Sequence, residues 1–205
     1  MFKRLAKLFG QKPERQDLSL HSATNSVPSM MTKVINADQP KLEIKDALGR
    51  FMHMVTAHLN APENRRLSEA VLACWDADGD ASNAFADGVL SENGQKRGQW
   101  LVIQVDWKAD DEIEWQIAEV ASNFGITDQW TWSECDPDSR TVMAGLSEVS
   151  RWAAPLGYEL LHLDLGDDAY YALMVPSAKA EMARQVALSA ELKAFRQDAF
   201  AEREA

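Results

Sequence analysis

The sequence predicts an α+β fold: a mixed β-sheet with elements in the order β-α-β-α-β-β-α, covered by helices and preceded by an α-helical hairpin. Three observations predict it. Apolar residues recur at helical spacing from Glu43 to about Leu90. Residues Gln99–Trp107 and Tyr158–Pro176 instead carry β-branched and aromatic runs bounded by turn residues. Amphipathic helical patterns separate those runs, an order that calls for a sheet with helices packed on it. The chain has 205 residues, 46% of them hydrophobic, so it can build a core without a disulfide framework or a structural metal.

The first ten residues, MFKRLAKLFG, set Phe2, Leu5, Leu8 and Phe9 near one helical face beside Lys3, Arg4 and Lys7. No apolar core follows the charges, so this is not a signal peptide. It is a short basic amphipathic segment suited to weak peripheral contact with an anionic membrane, or to packing on the domain. Residues 11–40 turn polar and lose periodicity, which predicts a flexible linker. A single α+β domain is expected over 43–201, with a helical preface over 43–91 and the sheet-containing part over 98–201.

Within the preface, Ile44, Leu48, Phe51, Met52, Val55 and Leu59 mark a helix over 43–60. Pro62 opens a second helix, about 62–75, and an acidic turn leads to a short helical piece ending near Leu90. Residues 99–107 form the first strand. The next helix buries Ile113, Ile117, Val120, Ala121 and Phe124, carries acidic residues in its first turn and stops at Gly125. Ile126–Trp132 is expected as a short strand, 139–156 as a helix, and 158–176 as a hairpin turning at Gly166-Asp167-Asp168. A last helix is expected over 178–201.

Charge narrows the function classes. The net charge is -11. Residues 1–45 hold 8 basic and 4 acidic groups, net +4, and residues 46–205 hold 13 and 28, net -15. That body excludes a phosphate-backbone partner and suits a basic protein. Cys74 and Cys135 match no disulfide framework or zinc spacing, which fits a reducing, cytoplasmic setting.

Strand alternation brings candidate chemistry together. Gln104 and Asp106 share a face of the first strand, and His162 and Asp164 share a face of the hairpin's first strand. If those strands are neighbours with matching faces, Asp106, His162 and Asp164 form a candidate catalytic cluster, with His162 as general base or metal ligand. Asp106, Asp111, Asp164, Asp167 and Asp168 are then candidate ligands for Mg²⁺ or Mn²⁺. The competing reading is a histidine hydrogen-bonded inside the sheet. A Gly-Asp-Asp hairpin resembles a polymerase metal turn, but the chain is too short and too acidic for a template channel. Asp76, Asp78, Asp80 and Asp87 miss the EF-hand pattern, since Ala81 stands where glycine is needed. Met52 belongs to an apolar helix face, and glycine-rich phosphate loops and a nucleophile elbow are absent.

Of seven tryptophans, six fall between 100 and 152, and residues 98–176 hold 15 acidic and 3 basic side chains, net -12. Trp107, Trp115, Trp130 and Trp132 are therefore candidate contacts for an Arg/Lys-rich partner; the alternative is a tryptophan-rich core under an acidic shell. The segment WLVIQVDWKADDEIEWQ with GYELLHLDLGDDAYYALMVP resembles an uncharacterised bacterial domain family of unknown function over about 98–176. The marks of the resemblance are Asp106-Trp107, Glu114-Trp115-Gln116, Gly157-Tyr158 and Gly166-Asp167-Asp168. It implies a bacterial, intracellular α/β domain and brings no activity. Two functions remain: a non-enzymatic, adaptor- or immunity-like module that binds a basic protein without a cofactor, and a divalent-metal-dependent hydrolase or phosphoryl-transfer enzyme.

Overall fold

A computed structural model describes residues 39–133 and 136–204. The described residues form one compact unit. Apart from Gln39 and Pro40, which open the first helix, the expected linker and the basic segment 1–10 lie outside the described residues. The elements run α1 (Gln39–Val55), α2 (Ala61–Asp78), α3 (Ala81–Phe85) with a π-helical turn (Ala86–Leu90), β1 (Val102–Asp106), α4 (Glu112–Asn123), α5 (Val142–Ala153), β2 (Tyr158–Asp164), β3 (Ala169–Pro176), α6 (Ser177–Ser189), β4 (Lys193–Arg196) and α7 (Gln197–Glu204). Among the described residues, no helix is long and apolar enough to cross a membrane.

Local chemistry sets the boundaries. The Asn60 side chain accepts from the Glu63 N–H, and Pro62 sits in the first turn of α2, where a missing N–H costs nothing. Thr141 caps α5 in the same way through the Ala144 N–H. Gly79, at φ 75°, closes α2 with its N–H on the Trp75 carbonyl.

The sheet has strand order β1-β3-β2-β4, and every pairing is antiparallel. It is therefore not the mixed sheet expected. Two differences account for this. Ile126–Trp132 is not a strand, because Trp130 and Trp132 are buried against the α4–α5 side instead. The expected final helix breaks after Ser189, passes through Glu191 at φ 62°, and inserts β4 along the free side of β2 before α7 resumes.

Both faces of the sheet are covered, which is why its strands read as apolar runs. Val102, Leu161, Leu163, Tyr171, Leu173 and Val175 pack with α1, α2, α3 and α6. Ile103, Val105, Leu160, Ala172 and Met174 pack with α4 and α5. The helical preface thus forms one layer of the same unit. Gly145 lets α5 close on Trp132, since a Cβ there would stand 2.5 Å from the Trp132 ring and 2.6 Å from Ile113.

Candidate interaction site at the hairpin end of the sheet

The site begins with turn chemistry. Asp164 ends β2 and its Oδ1 accepts from the Gly166 N–H at 3.0 Å; Asp167 Oδ1 accepts from the Ala169 N–H at 3.1 Å. The two carboxylates fold the turn in the manner of Asx motifs, with Gly166 at φ 92° supplying the left-handed residue. Antiparallel register then sets Asp106, the last residue of β1, opposite Ala169. The result gathers Asp106, Trp107, Asp164, Asp167 and Asp168 at one end of the sheet from two distant parts of the chain.

The turn separates two open depressions. One, of about 540 Å³, is walled by Trp107, Tyr170 and Phe200 and floored by Asp164, with Arg203 of α7 entering it. The other, of about 590 Å³, lies over Gln104, Asp106, Glu112, Trp115 and Tyr171. Asp167 and Asp168 border both. Trp107 is 56% exposed, with Lys108 Nζ 4.1 Å from its ring centroid. Asp168 is exposed.

Charge at this end is partly balanced within the chain. Burial disfavours the Asp164 anion, yet Arg203 Nη1 at 2.8 Å, Lys193 Nζ at 3.4 Å and the Gly166 N–H together hold its carboxyl below the ordinary range. Burial, and then the bond from its hydroxyl to Asp167 Oδ2 at 2.6 Å, push the Tyr171 phenol well up, so it stays a donor.

The candidate His162 cluster does not form, and the competing reading of a histidine hydrogen-bonded within the fold describes His162 instead. β3 lies between β1 and β2, and opposed residues of antiparallel strands share a face. Gln104 aligns with Tyr171 and Leu163, whereas His162 aligns with Ala172 and Ile103. Gln104 and Asp106 therefore face the α1–α2–α6 side, and His162 and Asp164 face the opposite side. His162 is fully buried and stacks on Phe200 with centroids 4.0 Å apart. Its Nε2 bonds Gln197 Oε1 at 2.8 Å. An amide oxygen only accepts, so Nε2 carries the proton. Burial lowers the ring's pKa to about 4, with the Gln197 bond opposing. This is a neutral core histidine, not a base beside carboxylates.

The other candidates separate as well. Asp106 Oδ1 accepts from the Lys108 N–H at 3.0 Å. Asp111 sits exposed at the start of α4 without capping it. Among the described residues, no three His, Cys, Asp or Glu side chains converge closely enough to hold a metal ion. Trp130 and Trp132 are core residues, 7% and 8% exposed, and cannot be surface contacts as expected. Trp115 is half-buried, edge-on to Trp100 at 5.0 Å and covered by Arg97 at 4.4 Å. Of the four, Trp107 alone is exposed, with Lys108 over one face of its ring. Sequence reasoning missed Phe200, which lay inside one long expected helix over 178–201, and Arg203, which lay beyond its expected end.

The fold is an antiparallel α+β domain, and the hairpin end of its sheet is acidic and aromatic. Residues 53–198 match the model of a family described as a domain of unknown function (DUF6630), and the chain belongs to that family. The match takes in α2, α3 and the sheet, but only the last three residues of α1. The chain matches no curated protein and no solved structure.

Proposed function

We propose that this chain is a non-enzymatic binding module of the bacterial cytoplasm, adaptor- or immunity-like, that engages a basic protein partner through the hairpin end of its sheet. One observation carries the reading: exposed Trp107 borders one open depression with Asp167 and Asp168, and exposed Asp106 borders the second with the same two carboxylates. Carboxylates around an aromatic face attract ammonium and guanidinium groups by charge and by cation–π contact. The net -12 of residues 98–176 steers such a partner toward this half. The metal-dependent alternative rests on the same carboxylates, and their spacing favours the binding reading.

Calorimetry with oligo-arginine and oligo-lysine peptides tests it. The wild-type chain should bind at low salt and lose affinity as salt rises. Asp168→Lys and Trp107→Ala should each weaken binding about 3- to 10-fold, as expected for one charge or one cation–π contact. Absence of binding at low salt, or binding indifferent to salt, would overturn the proposal. A rise in melting temperature with millimolar Mg²⁺ or Mn²⁺ would instead favour the metal alternative.

A further inference from the structure

The geometry points to a guanidinium site at Asp164 that α7 fills in cis with Arg203 and that a partner's arginine takes when α7 lets go. This rests on the reading of the hairpin end as a surface for a basic partner, and it names both the ligand group and the device that controls access.

The site has the parts a guanidinium requires. Asp164 is recessed, its side chain 16% exposed, and it already accepts from Arg203 Nη1 at 2.8 Å. The Arg203 guanidinium carbon lies 5.1 Å from the Phe195 ring centroid, so the planar cation is held between a carboxylate and an aromatic face. Trp107 and Tyr170 line the same depression and leave room in about 540 Å³ for a second side chain. The chain's own arginine therefore shows which chemical group the depression accepts.

The occupant is lightly held. α7 follows β4 without a connecting loop, and Phe200 is the one buried residue among its described side chains. The described polar anchors of α7 include the His162–Gln197 bond at 2.8 Å, the Gln197–Ser147 bond at 3.2 Å and the Arg203–Asp164 pair. An eight-residue helix with one buried side chain among those described opens locally more often than the core beneath it. A partner's arginine competes with Arg203 for Asp164, and its binding and the release of α7 are linked.

The test extends the same calorimetry with the full chain, adding amide hydrogen exchange over residues 197–204. Arg203→Ala, on the exposed side of α7, should tighten oligo-arginine binding about 2- to 5-fold, the worth of an exposed ion pair. Phe200→Ala, which frees the helix, should tighten it further, and Asp164→Asn should weaken it. Oligo-arginine should bind more tightly than oligo-lysine and should accelerate exchange in α7. Arg203→Ala keeps the test decisive if Phe200→Ala fails to fold. Unchanged or weaker binding in Arg203→Ala, equal affinity for the two peptides, or α7 exchange unaffected by ligand would overturn the inference while the hairpin-end reading stands. Absence of binding by the wild type and by every variant would overturn that reading itself.

Discussion

His162 and Gly145 show how a residue's surroundings, more than its type, decide what it does. A histidine two residues before an aspartate on one strand face suggests acid–base chemistry. Here it is stacked on Phe200, hydrogen-bonded to a neutral amide and kept uncharged by burial. Gly145 carries no chemistry, yet it sets how closely α5 meets Trp132 and Ile113. Gly145→Ala gains helix propensity of about 1 kcal/mol. It must also push a methyl group against an indole ring and an isoleucine that are themselves buried. Overpacking of that kind costs about 1–3 kcal/mol, and contacts of 2.5 and 2.6 Å place this site at the upper end. The net expected outcome is a loss of about 1–2 kcal/mol in urea denaturation, a lower midpoint at unchanged slope. A variant as stable as the wild type would show that Trp132 moves aside freely.

At the scale of elements, the edge strand β1 is closed by side chains. Gln116, 2% exposed, accepts from the Gln104 N–H at 2.7 Å and donates to the Gln104 carbonyl at 2.6 Å. Gln95 accepts from the Leu101 and Val102 N–H groups and donates to the Val102 carbonyl. Two amides thus take the place of a fifth strand, a way of guarding an edge against pairing with another chain. Gln116→Ala should cost about 1–3 kcal/mol, since a backbone donor and acceptor lose their partners. The double variant with Gln95→Ala should also self-associate on size-exclusion chromatography; a stable monomer would show that the edge is protected by other means. The same elements explain what was legible in the sequence. The hairpin was, because Tyr158–Pro176 is two apolar runs about a Gly-Asp-Asp turn. Ile126–Trp132 was misread because its tryptophans are buried by contact with helices, and burial looks the same in either case. β4 and α7 were invisible because Met182, Val186, Leu192 and Phe195 suit one continuous helix. Only the open side of β2, a tertiary feature, draws Lys193–Arg196 into the sheet. The carboxylates and Trp107 of the site were therefore readable, and its Phe200 and Arg203 were not.

Across the whole molecule, one half-buried and one buried histidine set how stability responds to acid. His58, in the connection between α1 and α2, stacks on Phe124 with centroids 3.9 Å apart, and Phe124 lies 4.8 Å from Tyr158. The stack ties the helical layer to the end of α4 and the start of β2. His162 secures α7 on the other face of the sheet. Burial lowers both rings to about 4, against an ordinary value of 6.5, with hydrogen bonds from His58 to Val55 and from His162 to Gln197 opposing. Each therefore binds a proton more readily in the unfolded chain than in the folded one. The stability they confer is complete above pH 6.5 and is lost as pH falls toward 4. At pH 5 each lowered histidine should cost about 2 kcal/mol relative to pH 7.5. Below that range the ion-paired Glu63 and Asp164, also lowered, add losses of the same sign. The surplus of negative charge works the other way, because neutralising exposed carboxylates relieves self-repulsion, but that relief begins only near pH 5. Urea denaturation from pH 7.5 to 5 should accordingly show stability falling by about 3–4 kcal/mol before most carboxylates titrate. His58→Gln and His162→Gln, each retaining a hydrogen-bonding side chain, should each flatten the curve by about half. A profile that stays level down to pH 5 in the wild type would mean that the two rings gain solvent or partners on protonation. Their stacks would then be far looser than their geometry indicates.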